Sequence, residues 1–182
     1  RNGVLWNGCL NWITHWKAIV CFDLDKEDAN FTLPSPPVSM EHSEIWYFGE
    51  SGGCMYFIDI NNPGEMLFDI FELASGCSEW VLKYHLNLAP LTILYPSMVD
   101  EEFDHSDDWL CRFWLTYFVE DENEKKARLV ISLPGKVILY DINDTVVKVL
   151  AEVGPTDTDD GCRDYIYQWK DAYPIMKTLA YV

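Results

Sequence analysis

Gly49-Glu50-Ser51-Gly52-Gly53 matches, letter for letter, the Gly-x-Ser-x-Gly of a nucleophile elbow, in which a serine on a strained strand-to-helix turn attacks an acyl carbon. The elbow needs a helix after the serine. Here "CMYFIDI" follows, an apolar and aromatic run that reads as a strand, so the expectation is a hairpin turn. Asp23, Asp59, Asp69 and Asp141 supply carboxylates for general acid–base work of the glycosidase kind, which needs two carboxyls roughly 5 to 10 Å apart across a cleft. These aspartates recur at the same place in similar segments, at strand ends where an Asp side chain caps the next turn. Repetition of that kind indicates architecture. His15, His42, His85 and His105 have no His or Cys at ligand spacing, and "DTDDG" at 157–161 puts Gly161 fifth and Gln168 twelfth, which fails the EF-hand pattern. The expectation is therefore no catalytic residue, no metal and no cofactor.

The six cysteines, Cys9, Cys21, Cys54, Cys77, Cys111 and Cys162, contain no CxxC pair. Several sit in strand-like apolar contexts, so they read as reduced thiols, with Cys21 and Cys54 buried on strand faces, in a cytoplasmic or nuclear protein. Two Asn-x-Thr sequons, at Asn30 and Asn143, would matter only in a secreted chain. Thirty acids against 13 bases give a formal charge of −17, which argues against a nucleic-acid partner, since phosphate binding rests on clustered Lys and Arg. A basic protein partner suits that charge. No apolar run approaches the roughly 20 residues that span a bilayer, so no membrane partner is expected.

The chain of 182 residues is 49% hydrophobic and 15% aromatic, enough for a sizeable core and suited to pleated, half-buried surfaces. "GVLWNGCLNWI" (3–13) centres on Asn-Gly, the strongest short hairpin signal, and predicts Val4, Trp6, Leu10 and Trp12 on one buried face. "AIVCFDLDKEDANFTLP" (18–34) reads as strand, charged turn and short strand. "IWYFGESGGCMYFIDI" (45–60) and "GEMLFDIFELASGCSEWVLKYHLNL" (64–88) each read as two strands about a turn. A third round follows an acidic stretch, "VDEEFDHSDD" (99–108), that reads as an exposed loop. It comprises "WLCRFWLTYFV", "ARLVISLP" and "KVILYDINDTVVKVLAEV". "IVCFDLDKEDANFTL", "MLFDIFELASGCSEWVLKYHL" and "VILYDINDTVVKVL" share one plan: apolar strand, Asp-apolar, polar turn, apolar strand. An imperfect repeat of about 45 residues made of four short strands is what a β-propeller blade demands. The tail, 154–182, reads as an acidic loop, a Tyr- and Trp-rich stretch interrupted by Pro174, and a closing strand "KTLAYV" that pairs with an earlier blade.

Taken in order, "GVLWNGCLNWI", "CFDLDKEDANFTLPSPP", "YFGESGGCMYFIDI", "FDIFEL" with "EWVLKYHLNL", "LPGKVILYDI" and "KTLAYV" resemble the F-box-associated interaction domain of plant F-box proteins. The likeness covers essentially the whole chain. It implies an all-β fold, a partial kelch-like propeller of three to four antiparallel blades. It also implies one domain over 1–182, the C-terminal portion of such a module, with the F-box absent from the chain. The function implied is substrate recognition for an SCF-type (Skp-cullin-F-box) ubiquitin ligase, without catalysis, the Skp-type adaptor being reached only through an F-box outside this chain. Two other readings stand beside it: a carbohydrate-binding or hydrolysing propeller, and a decoy receptor lacking the F-box.

Interaction surfaces are enriched in aromatic residues. The candidate partner-binding residues are Trp16, Trp46, Trp80, Trp109 and Trp169, which flank loops or strand ends, together with Asp100, Glu101, Glu102 and Asp104 of the acidic loop. Each Trp taken singly also suits a blade-to-blade core. Three rounds leave an open edge or apolar flank, so completion by a second copy or by a missing N-terminal half is expected.

Overall fold

The computed structural model describes residues 3–14, 16–30, 33–37, 45–62, 65–99, 112–121 and 126–152. Twelve antiparallel strands build three four-stranded sheets, each a meander whose strands pair in chain order. Sheet 1 holds β1 (Val4–Trp6), β2 (Cys9–Ile13), β3 (Ile19–Asp23) and β4 (Asp28–Asn30). Sheet 2 holds β5 (Tyr47–Ser51), β6 (Cys54–Asn62), β7 (Leu67–Leu73) and β8 (Val81–Asn87). Helix α1 (Ala89–Leu94) and a 3₁₀ turn (Pro96–Met98) follow, and sheet 3 holds β9 (Trp114–Asp121), β10 (Lys126–Leu133), β11 (Lys136–Asp141) and β12 (Val147–Glu152). The strand-and-turn pattern of the three rounds is the one the sequence predicts. The fold is all-β and consistent with part of a propeller. β5 runs beside both β1 and β9, so the first strands of the three sheets converge and the last lie outermost.

Sheet 2 is covered on both faces. Tyr56, Ile58, Ile60, Phe68 and Ile70 face sheet 3 and join Phe118, Leu129, Ile131, Ile138 and Tyr140 in the larger core. Met55, Phe57, Phe71 and Leu73 face sheet 1 and join Trp6, Ile19 and Trp80 in the smaller. Every residue from Met55 to Ile60 is therefore buried, which is why "MYFIDI" reads as a continuous apolar run rather than an alternating one. Burying each large side chain in these layers contributes about 1.5–3 kcal/mol.

The opening hairpin departs from expectation. Asn7 and Gly8 both have positive φ, +49° and +73°, as a two-residue hairpin turn requires, and this sets Trp6 opposite Cys9. Val4 and Trp6 therefore share a face with Cys9 and Asn11, while Leu10 and Trp12 share the other with Leu5. Side chains alternate along a strand, so the turn's register alone splits the four apolar residues between faces. The face with Trp6 meets sheet 2, where the Trp6 indole N–H donates to the Gly53 carbonyl at 2.8 Å.

Candidate functional site

Ser51 ends β5, and Gly52 and Gly53, with φ of +59° and +82°, turn the chain into β6. No helix follows, so the elbow geometry is missing. Ser51 is 6% exposed, and its hydroxyl accepts a 2.9 Å hydrogen bond from the backbone N–H of Glu120 on sheet 3. Gly49 has its own structural reason: a Cβ there would meet Cζ of Tyr47 at 2.5 Å, because that ring lies across the glycine. Glycines and serine alike serve the seam between two sheets.

Carboxylates do converge, though not the four recurring aspartates. The Tyr56 hydroxyl lies 2.6 Å from Glu72 Oε2 and also contacts Glu120 Oε2, while the Tyr84 hydroxyl donates to Glu120 Oε1 at 3.0 Å. The Lys83 ammonium sits 2.6 Å from Glu72 and 3.4 Å from Glu120. Burial raises the pKa of Glu72, but the Lys83 ammonium and the Tyr56 hydroxyl outweigh it and hold the carboxyl below its usual range. Burial, then the Glu120 carboxylate, pushes the Tyr84 hydroxyl up to about 12 and the Tyr56 hydroxyl further still. A hydrolase of the two-carboxylate type needs one carboxyl kept protonated near neutral pH. Glu72 is shifted the other way, toward a permanent anion, and the cluster acts as a clasp between sheets 2 and 3.

The four repeated aspartates divide into two pairs. Asp23 accepts from the backbone N–H groups of Asp25 and Lys26, and Asp141 from those of Asn143 and Asp144, so both cap turns as expected. Asp59 and Asp69 do not. They stand opposite each other in mid-strand, where Asp59 holds Lys17 Nζ at 3.0 Å with side chains only 7% and 3% exposed, and Asp69 lies 2.7 Å from His85 Nδ1.

Lys17 sits in the β2–β3 turn with φ +58°, a conformation costing a non-glycine residue on the order of 1 kcal/mol. Two backbone hydrogen bonds close that turn, Thr14 N–H to Ala18 O and Lys17 N–H to Thr14 O. With Lys17 drawn inward, Trp16 beside it is turned outward and is 72% exposed. The same end of the sheets carries α1, tied there by Leu88 N–H to Met66 O at 3.0 Å. This helix buries Leu91 and leaves Ile93 and Leu94 81% and 63% exposed. Exposed aromatic and aliphatic anchors on braced turns are what protein recognition uses.

Of the residues singled out from sequence, Trp16 is at this surface. Trp46 is half-buried, its ring edge-on to Phe68 at 5.0 Å and tilted over Phe113 at 5.2 Å. Trp80 is buried in the smaller core and donates to the Pro34 carbonyl at 2.8 Å. Trp109, Trp169, Asp100, Glu101, Glu102 and Asp104 lie outside the described residues, as do His15, His42 and His105. Cys21 is buried and Cys54 half-buried, both as free thiols on strands. Sequence reading passed over Ile93 and Leu94, although Ala89-Pro90 at a helix start was a usable signal. Among the described residues no three His, Cys, Asp or Glu side chains group as a metal site, and no helix is long and apolar enough to cross a membrane.

No family model matches the sequence. Over 188 aligned residues the chain is 26% identical to an F-box protein of Arabidopsis thaliana, an alignment covering 98% of this chain and 44% of that protein. The chain spans less than half the length of that relative.

Proposed function

We propose that this chain is the protein-binding, substrate-recognition module of an SCF-type ubiquitin ligase, a kelch-like F-box-associated domain that performs no catalysis itself. Similarity to an F-box protein along 98% of the chain is the observation that carries this reading. The site geometry supports it: the serine and carboxylates that suggest enzymes are engaged between sheets, while Trp16, Ile93 and Leu94 are presented to solvent. With a net charge of −17, the target is a protein with a basic patch, and the Skp-type adaptor is held by an F-box elsewhere in the polypeptide. Such a ligase works in the cytoplasm or nucleus.

The test is affinity purification of the full-length protein from its own cells. The reading expects a Skp-type adaptor and a cullin to copurify, together with a target whose recovery falls in a Trp16→Ala/Ile93→Ser/Leu94→Ser variant while adaptor recovery holds. Purification without adaptor and cullin would overturn the ligase role. Equal target recovery from the variant would overturn the assigned surface.

A further inference from the structure

Sheet 2 is covered on both faces, whereas sheet 3 meets the other described sheets through one face only. Phe118, Leu129, Ile131, Ile138 and Tyr140 point into the larger core. The pairing register puts Tyr117, Val119, Val130, Leu139 and Val137 on the opposite, outer face. All five are apolar or aromatic, all are half-buried, and none belongs to either core. Ser132, between them, is 5% exposed. Left bare, such a face approaches the few hundred Å² of contiguous apolar surface that monomers rarely expose.

We propose that the chain's own segment 164–182 lies over this outer face of sheet 3 as a fourth layer. The chain leaves sheet 3 at Glu152, the end of its outermost strand. Residues 153–163 follow, and eleven residues reach about 35 Å when extended, more than the roughly 15 Å across four strands. Beyond them Tyr165, Tyr167 and Trp169 alternate with other residues, as do Leu179 and Tyr181, the spacing that presents one apolar side to a sheet. A second copy is the poorer occupant, since two chains of −17 repel each other on approach.

Trypsin digestion of the full chain tests this at Lys170 and Lys177. The docked tail is cut about tenfold or more slowly than a free peptide of residues 162–182, because cleavage then waits on undocking. Val130→Glu on the face and Tyr165→Ser/Tyr167→Ser in the tail should each abolish that protection. The tail variant leaves the sheets untouched and decides the matter if Val130→Glu fails to fold. Cleavage of the native chain at the free-peptide rate overturns the proposal, and so does protection that survives the tail variant. Sedimentation showing a dimer that Val130→Glu dissociates, with tail cleavage unchanged, assigns the face to a second copy instead.

Discussion

Between sheets 2 and 3 lies the larger apolar core, rich in edge-on and tilted aromatic pairs, with its charged groups gathered in a half-exposed clasp of Tyr56, Glu72, Lys83, Tyr84 and Glu120. Between sheets 1 and 2 the apolar core is smaller, and one ion pair, Lys17 with Asp59, is sunk into the seam. Buried pairs add little net stability because desolvation offsets their attraction, whereas removing one partner is costly. The second seam therefore trades stabilising area for orientation: a sheet 1 displaced along sheet 2 would leave both charges buried and unmatched. The first seam needs no such device, since its interlocked rings already specify one packing.

The largest expected effect is on the aromatic seam. Phe68, 1% exposed and in ring contact with Trp46 and Phe113, should cost about 3–5 kcal/mol when changed to alanine, read as a lower urea midpoint at unchanged slope. Next comes Lys17→Met, which takes the ammonium away from buried Asp59 and should cost about 3 kcal/mol, while adding Asp59→Leu recovers most of the loss. A single-variant cost under about 1 kcal/mol would mean the pair is solvated, and the contrast between seams would collapse. Glu120→Ala, which removes the acceptor shared by Tyr56, Tyr84 and Lys83, should cost about 1–3 kcal/mol.

The smallest effects are in pH dependence and sharpen the picture of the clasp. The folded-state pKa of Glu72 lies below its ordinary 4.5, so its contribution is whole above about pH 5 and is lost as pH falls through the folded value. Tyr84 is raised from 10.0 to about 12, so its contribution is whole below pH 10 and lost as pH rises through 12. Urea midpoints across pH should show both arms, with Glu72→Gln flattening the acid arm and Tyr84→Phe the alkaline one. No change in either arm would remove the clasp from the stability of the seam.

Much of the fold was legible because its signals are local. Asn7-Gly8, Gly52-Gly53 and the Asp23 and Asp141 turn caps act within a few residues, and each marks a turn where the structure has one. The site was less legible. Trp80, a candidate for exposure by its place near a loop, is buried because Phe57 and Pro34 receive it, and neither is near it in sequence. Nothing near Lys17 in sequence marks it for burial, because its partner Asp59 is 42 residues away.

The sequence by itself determined the all-β class, the three rounds of strands and the turns between them, since apolar alternation and positive-φ residues act on the nearest neighbours. Only the tertiary structure decided which side chains meet. Lys17 finds Asp59 across 42 residues, Tyr56 finds Glu120 across 64, and Leu10 is parted from Trp6 by the register of a two-residue turn. Such contacts depend on how whole sheets stack, and stacking is set by the summed fit of many buried faces rather than by any single residue's preference.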